Sequence, residues 1–120
     1  MTRRIVLIED DPDIAALVDG MLTEAGHQVE VRSTLPEGPV DQGTDLVITD
    51  LVALRSYDPG AARSWIARVR AAYPDAAVVV STAHQPAAVA GGPGLGADAV
   101  LEKPFDLDAF TRTVDSLLGT

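Results

Sequence analysis

Ile5-Val6-Leu7-Ile8-Glu9-Asp10-Asp11-Pro12 is the stretch whose reading decides the fold. Its first four residues form a short, continuous apolar run rich in β-branched side chains and closed by charge. Such a run reads as a strand buried on both faces, as in a parallel sheet. Asp11 before Pro12 is a helix cap followed by proline at the first helical position, where its missing N–H costs nothing. A buried strand therefore passes into a helix within a few residues.

The same unit recurs outward along the chain. Ile14, Leu17, Val18, Met21, Leu22 and Ala25 follow at helical spacing, and Gly26 closes that helix. Val29 and Val31 alternate with polar residues and predict a second strand. Residues 33–44 hold Pro36, Gly38, Pro39 and Gly43, so any helix there is short or irregular. Leu46-Val47-Ile48 is a third strand ending at Thr49-Asp50. Asp58-Pro59 repeats the cap-plus-proline signal before a helix that carries Ala62, Trp65, Ile66 and Val69 to about Ala72, where Pro74-Asp75 breaks it.

Ala77 to Val80 is a fourth strand ending at Ser81-Thr82. Residues 85–90 can form a short helix that Gly91-Gly92-Pro93-Gly94 would stop. Ala99-Val100-Leu101 is a fifth strand, ending at Glu102-Lys103-Pro104. Asp106 caps a last helix with Leu107, Phe110, Val114, Leu117 and Leu118 on one face. Strands alternating with helices require a parallel sheet with right-handed crossovers and helices on both faces. The expectation is one α/β domain over residues 1–120, a doubly wound five-stranded parallel sheet, with no linker or internal repeat.

Composition excludes several classes of function. Nine Lys+Arg against eighteen Asp+Glu leave a net charge of −9, which repels phosphate backbones and argues against direct nucleic-acid binding. The densest basic group, Arg63, Arg68 and Arg70, reads as a solvated helix face. No cysteine is present, so disulfides, thiolate metal sites and cysteine nucleophiles are excluded. No apolar run reaches the roughly eighteen residues a membrane span needs. The basic N-terminus is followed too soon by Glu9-Asp10-Asp11 to be a signal peptide. A cytoplasmic protein with no membrane partner is expected.

In open α/β sheets, ligands sit outside the carboxyl ends of the strands. Those ends carry Glu9, Asp10 and Asp11 on the first strand, Asp50 on the third, Ser81 and Thr82 on the fourth and Lys103 on the fifth. Carboxylates converging from adjacent strands repel unless a cation neutralises them. Mg²⁺ (or Mn²⁺) suits such a site because it takes oxygen ligands and binds one or two carboxylates together with a phosphate. An aspartate beside such a metal and a lysine is placed to attack phosphorus. The metal, the Lys103 ammonium and the Thr82 hydroxyl could each meet one oxygen of the transferred group. Asp11, directly before Pro12, reads as a cap and not as a ligand.

These residues resemble response-regulator receiver domains over Ile5 to Leu118. The matching segments are Ile5 to Pro12, Asp45-Leu46-Val47-Ile48-Thr49-Asp50-Leu51, Thr82-Ala83, Gly96-Ala97-Asp98 and Lys103-Pro104-Phe105. The resemblance implies a flavodoxin-like strand order 2-1-3-4-5. It also implies Asp50 as phosphoacceptor in a two-component phosphorelay, with Asp10 binding metal directly, Glu9 through water, and the Val52 backbone carbonyl completing the protein ligands. Thr82 is then the switch hydroxyl. Lys103 pairs with the acceptor carboxylate and then with the phosphoryl group, and its bond to Pro104 is cis. Implied partners are a histidine kinase or histidine phosphotransfer protein and a downstream effector, with phosphorylation-dependent homodimerisation as a further output.

The sequence departs from the family in three places. The aromatic residue three positions before the lysine is Val100. Leu51-Val52-Ala53-Leu54-Arg55-Ser56-Tyr57-Asp58 replaces the usual Met-Pro pair and later glycine, and the fourth helix is broken by glycines. These departures motivate an alternative, a receiver-like interaction module that signals largely without phosphate. His84, two residues past Thr82, falls where receiver domains tune loss of the phosphoryl group. An aspartyl-phosphate hydrolase is disfavoured, because the acid/base aspartate such enzymes need two residues after the nucleophile is Val52. Apart from its own phosphotransfer and slow dephosphorylation, the chain is not expected to be an enzyme.

Overall fold

The computed structural model describes residues 3–35, 43–51, 58–82, 94, 96–103 and 106–119. In chain order it contains β1 (Arg4–Ile8), α1 (Pro12–Glu24), β2 (Gln28–Arg32), β3 (Leu46–Thr49), α2 (Pro59–Ala72), β4 (Ala77–Thr82), β5 (Ala99–Glu102) and α3 (Leu107–Leu118). The five strands form one sheet in the order β2-β1-β3-β4-β5, and every neighbouring pair is parallel. The proposed helix at 85–90, Gly91, Gly92 and Pro93 of the run that would end it, His84, Val52 and the Lys103-Pro104 bond lie outside the described residues.

Local chemistry accounts for the helix ends. The Asp11 carboxylate accepts hydrogen bonds from the Asp13 and Ile14 N–H groups, as a helix cap should. Asp58 does the same for Gly60 and Ala61, and Asp106 for Asp108. Asp11 is thereby committed to α1, as its place before Pro12 indicates. Gly26 (φ +96°) and Gly119 (φ +74°) sit in the left-handed region that ends helices α1 and α3.

Alternation along the strands divides the core in two. Val6, Ile8, Val47, Val78 and Val80 face α2, where they pack with Ala62, Ile66, Val69 and Tyr73. Ile5, Leu7, Leu46, Ile48, Val79 and Leu101 face the other side and meet α1 and α3 through Val18, Leu22, Phe110 and Val114. Each fully buried aliphatic side chain contributes about 1.5–3 kcal/mol, so this two-sided burial holds the central strands fixed. β2, at the edge, is less covered, and Val31 is 44 % exposed. Leu17, assigned to the apolar face of α1 by spacing, is 53 % exposed. Its neighbour Val18 takes the core position instead, so the stripe is narrower than the spacing suggests.

Candidate functional site

The strand register brings the expected residues together. Ile8 pairs with Thr49, and the Asp50 N–H donates to the Ile8 carbonyl at 2.9 Å. Glu9 and Asp50 therefore leave adjacent strands side by side. One carboxylate oxygen from each of Glu9, Asp10 and Asp50 can be chosen so that all lie within 4.8 Å of one another. Their burial is graded: Glu9 is buried, Asp50 half-buried and Asp10 exposed.

Lys103 reaches the cluster from the far side. Its ammonium donates to Glu9 Oε2 at 2.8 Å and lies 3.5 Å from Asp50 Oδ2. The sequence expectation paired Lys103 with the acceptor carboxylate, whereas the shorter contact is to Glu9. Backbone pairing fixes where the lysine starts, since the Lys103 N–H donates to the Thr82 carbonyl at 2.7 Å. The same pairing sets Thr82 at the carboxyl end of β4, with its side chain buried. Ser81, which precedes it, points to the opposite face of the sheet by strand alternation.

Burial governs the charge balance. The Glu9 carboxyl is raised above its ordinary value of 4.5, chiefly because burial penalises the anion and further because Asp50 is close; Lys103 pulls it back down. A carboxylate in this position is costly without a neutralising cation. The donor set is all oxygen, compact and open to solvent on the Asp10 side. That suits a small hard cation such as Mg²⁺, whose ligands lie at about 2.1 Å.

Asp50 itself is oriented by its own backbone. Its Oδ1 accepts the Leu51 N–H at 2.8 Å, which leaves Oδ2 as the oxygen turned toward Lys103. Behind it lies a contact that sequence reasoning missed. The Trp65 indole N–H donates to the Thr49 hydroxyl at 2.9 Å, and that hydroxyl donates to the Asp50 carbonyl at 2.7 Å. Helical spacing groups Trp65 with Ala62, Ile66 and Val69 on one side of the helix. Trp65 does pack against the α2-face core, as does Val100, but its polar edge is engaged as well. The one available signal was a threonine inside a wholly buried strand, whose hydroxyl needs a partner.

The arginines of α2 are also more than a solvated face. The guanidinium of Arg68 sits 5.5 Å above the Trp65 ring centroid. Arg63 donates to the Gly94 carbonyl at 3.0 Å. Arg70 donates to the Gly96 carbonyl at 2.8 Å and to Asp98 at 3.2 Å.

Comparison with solved structures places this architecture. A response regulator receiver protein from Burkholderia phymatum is 26% identical, with a TM-score of 0.68 over 98% of this chain and 95% of that one. The non-phosphorylated HemR receiver domain from Leptospira biflexa is 22% identical, with a TM-score of 0.68 over 98% and 95%. The response regulator TrrA from Thermotoga maritima, in complex with Mg²⁺-BeF, is 22% identical, with a TM-score of 0.69 over 97% and 99%. The chain has the fold of response-regulator receiver domains along essentially its whole length. No family model matches the sequence, and no curated protein does.

Proposed function

We propose that this chain is a receiver that takes a phosphoryl group on Asp50 from a phosphohistidine of a histidine kinase or phosphotransfer protein. The observation that carries the proposal is the convergence of Glu9, Asp10 and Asp50 within 4.8 Å, with the Lys103 ammonium 3.5 Å from Asp50, at the carboxyl ends of a receiver-fold sheet. Glu9, Asp10 and Asp50, with the Val52 carbonyl as implied by the resemblance, would hold Mg²⁺ or Mn²⁺. That ion would supply positive charge for the oxygens of the transferred group.

The residues themselves would do the rest. Asp50 Oδ2 attacks phosphorus as the P–N bond to the donor imidazole breaks, and the imidazole leaves with its electron pair and takes a proton. Lys103 shifts from the carboxylates to a phosphoryl oxygen, and the Thr82 hydroxyl donates to another. No general base is needed, because the nucleophile is already an anion. The acidic surface, with net charge −9, points to protein partners rather than nucleic acid. Among the described residues no helix is long and apolar enough to cross a membrane, in keeping with a cytoplasmic signalling role. The output is a conformational change read by an effector or by a second copy of the chain.

The test is incubation with acetyl phosphate and Mg²⁺ followed by intact-mass measurement. A gain of one phosphoryl group in wild type and none in Asp50→Ala is expected. No gain in wild type, or an equal gain in the variant, would sink the proposal. The readout differs from the family pattern at Val100, which packs into the α2-face core beside Trp65. That packing favours a second reading, a module whose effector binding persists in Asp50→Ala.

A further inference from the structure

Trp65 and Thr49 take no part in the chemistry above, yet a directed chain of hydrogen bonds joins them to Asp50. An indole N–H can only donate, so the Thr49 Oγ1 at 2.9 Å accepts. Thr49 then has one hydroxyl proton to give, and the Asp50 carbonyl at 2.7 Å receives it. Thr49 is fully buried, so water offers its hydroxyl no ready substitute.

That carbonyl shares a peptide plane with the Leu51 N–H. The plane is rigid, and fixing its oxygen edge fixes the direction of its N–H. The N–H in turn donates to Asp50 Oδ1 at 2.8 Å. One carboxylate oxygen is thus pinned by the backbone, and the other, Oδ2, is turned to the lysine at 3.5 Å. The chain of cause runs from an indole on α2 to the choice of nucleophilic oxygen at the end of β3.

We infer that Trp65 is a positioning residue for the phosphoacceptor: through the Thr49 hydroxyl it sets the 50–51 peptide plane, so that Asp50 Oδ2 is the oxygen presented for phosphoryl transfer. The inference rests on the proposed role of Asp50. Trp65 suits the task because its ring is held by the α2-face core and by Arg68 over its face.

Phosphorylation rates with acetyl phosphate and Mg²⁺ test it in wild type, Trp65→Phe, Thr49→Val, Thr49→Ser and the Trp65→Phe/Thr49→Val double variant. Hydrogen exchange of the Leu51 amide, read by NMR on metal-free protein, is the companion measurement. Trp65→Phe keeps a ring in the core and removes only the N–H donor. Trp65→Phe and Thr49→Val should each slow phosphorylation by about three- to tenfold, the range one hydrogen bond spans. The double variant should be no slower than Thr49→Val alone, Thr49→Ser should recover most of the loss, and Leu51 exchange should quicken in both single variants. A full rate in Trp65→Phe, losses that multiply in the double variant, or a rate loss with Leu51 exchange unchanged each overturns the inference. A wild type that takes no phosphoryl group overturns the reading of Asp50 instead. Leu51 exchange alone then decides whether Trp65 positions the peptide.

Discussion

The two ends of the sheet use carboxylates in opposite ways. At the amino ends, two aspartates are spent locally. Asp45 accepts the Arg4 N–H that opens β1, at 2.9 Å, and Asp98 accepts the Val78 N–H near the start of β4, at 2.8 Å. Both pin a strand to its neighbour. At the carboxyl ends, Glu9, Asp10 and Asp50 face one another within 4.8 Å, and Lys103 answers two of them. The first arrangement is satisfied as it stands. The second sets three carboxylates against one ammonium, an excess of negative charge that suits a cation. Both ends carry carboxylates, so position and partners, rather than the chemical group, set the strand-pinning pair apart from the clustered three.

Removing the lysine should strain the comparison most. Lys103→Met leaves Glu9 and Asp50 without their ammonium and should cost about 1.5–3 kcal/mol at neutral pH without metal, the range for hydrogen bonds to charged groups. Saturating Mg²⁺ should narrow that gap, because a cation then offsets the same repulsion. Urea denaturation with and without Mg²⁺ measures it, and a gap indifferent to Mg²⁺ would mean that the carboxyl ends carry no such imbalance. At the other end, Asp98→Ala unpairs a buried N–H and should cost about 1–2 kcal/mol. That loss should be the same with and without Mg²⁺.

Glu9 sharpens the contrast through pH. Its folded-state value lies above the ordinary 4.5, while the unfolded chain titrates near that ordinary value. Between the two, the folded protein holds a proton that the unfolded chain has released. Stability from this group is therefore present below the ordinary value and lost as pH rises through the raised one. Metal-free Glu9→Gln should lack this loss and be the more stable protein at pH 7. Saturating Mg²⁺ should reverse the order, since binding to the native carboxylates stabilises wild type. Denaturation midpoints across pH 4–8, with Mg²⁺ and with chelator, show whether the order inverts.

Much of this was legible in the sequence because its causes are local. Asp11-Pro12 and Asp58-Pro59 announce helix starts within two residues, and four-residue apolar runs announce buried strands. Once the strands are parallel, Glu9, Asp50, Thr82 and Lys103 must share one edge of the sheet. Contacts between distant segments were not legible. Nothing in the sequence ranks Glu9 above Asp50 as the nearer partner of Lys103, because side-chain reach across 94 positions decides it. Nor does it join Trp65 to Thr49. Leu17 failed for a different reason: helical spacing defines a stripe, and neighbouring strands decide how much of that stripe is covered.

The smallest expected effect lies at Arg70, where the amino-end arrangement reaches the surface. Its pair with Asp98 is exposed on both sides, 42% and 39%, so the ionic contribution is about 0–1 kcal/mol and screened by salt. The same side chain also holds the Gly96 carbonyl through Nε at 2.8 Å, and a hydrogen bond to a neutral acceptor is far less sensitive to salt. Arg70→Ala should thus destabilise by about 1 kcal/mol or less, with most of the loss surviving in 1 M NaCl. Arg70→Lys should recover little of it, because an ammonium cannot span the Gly96 carbonyl and the Asp98 carboxylate as a planar guanidinium does. Denaturation midpoints of the three proteins at low and high salt decide the matter. A loss that vanishes in salt would make this a plain ion pair, and Asp98 would then owe its place to Val78 alone.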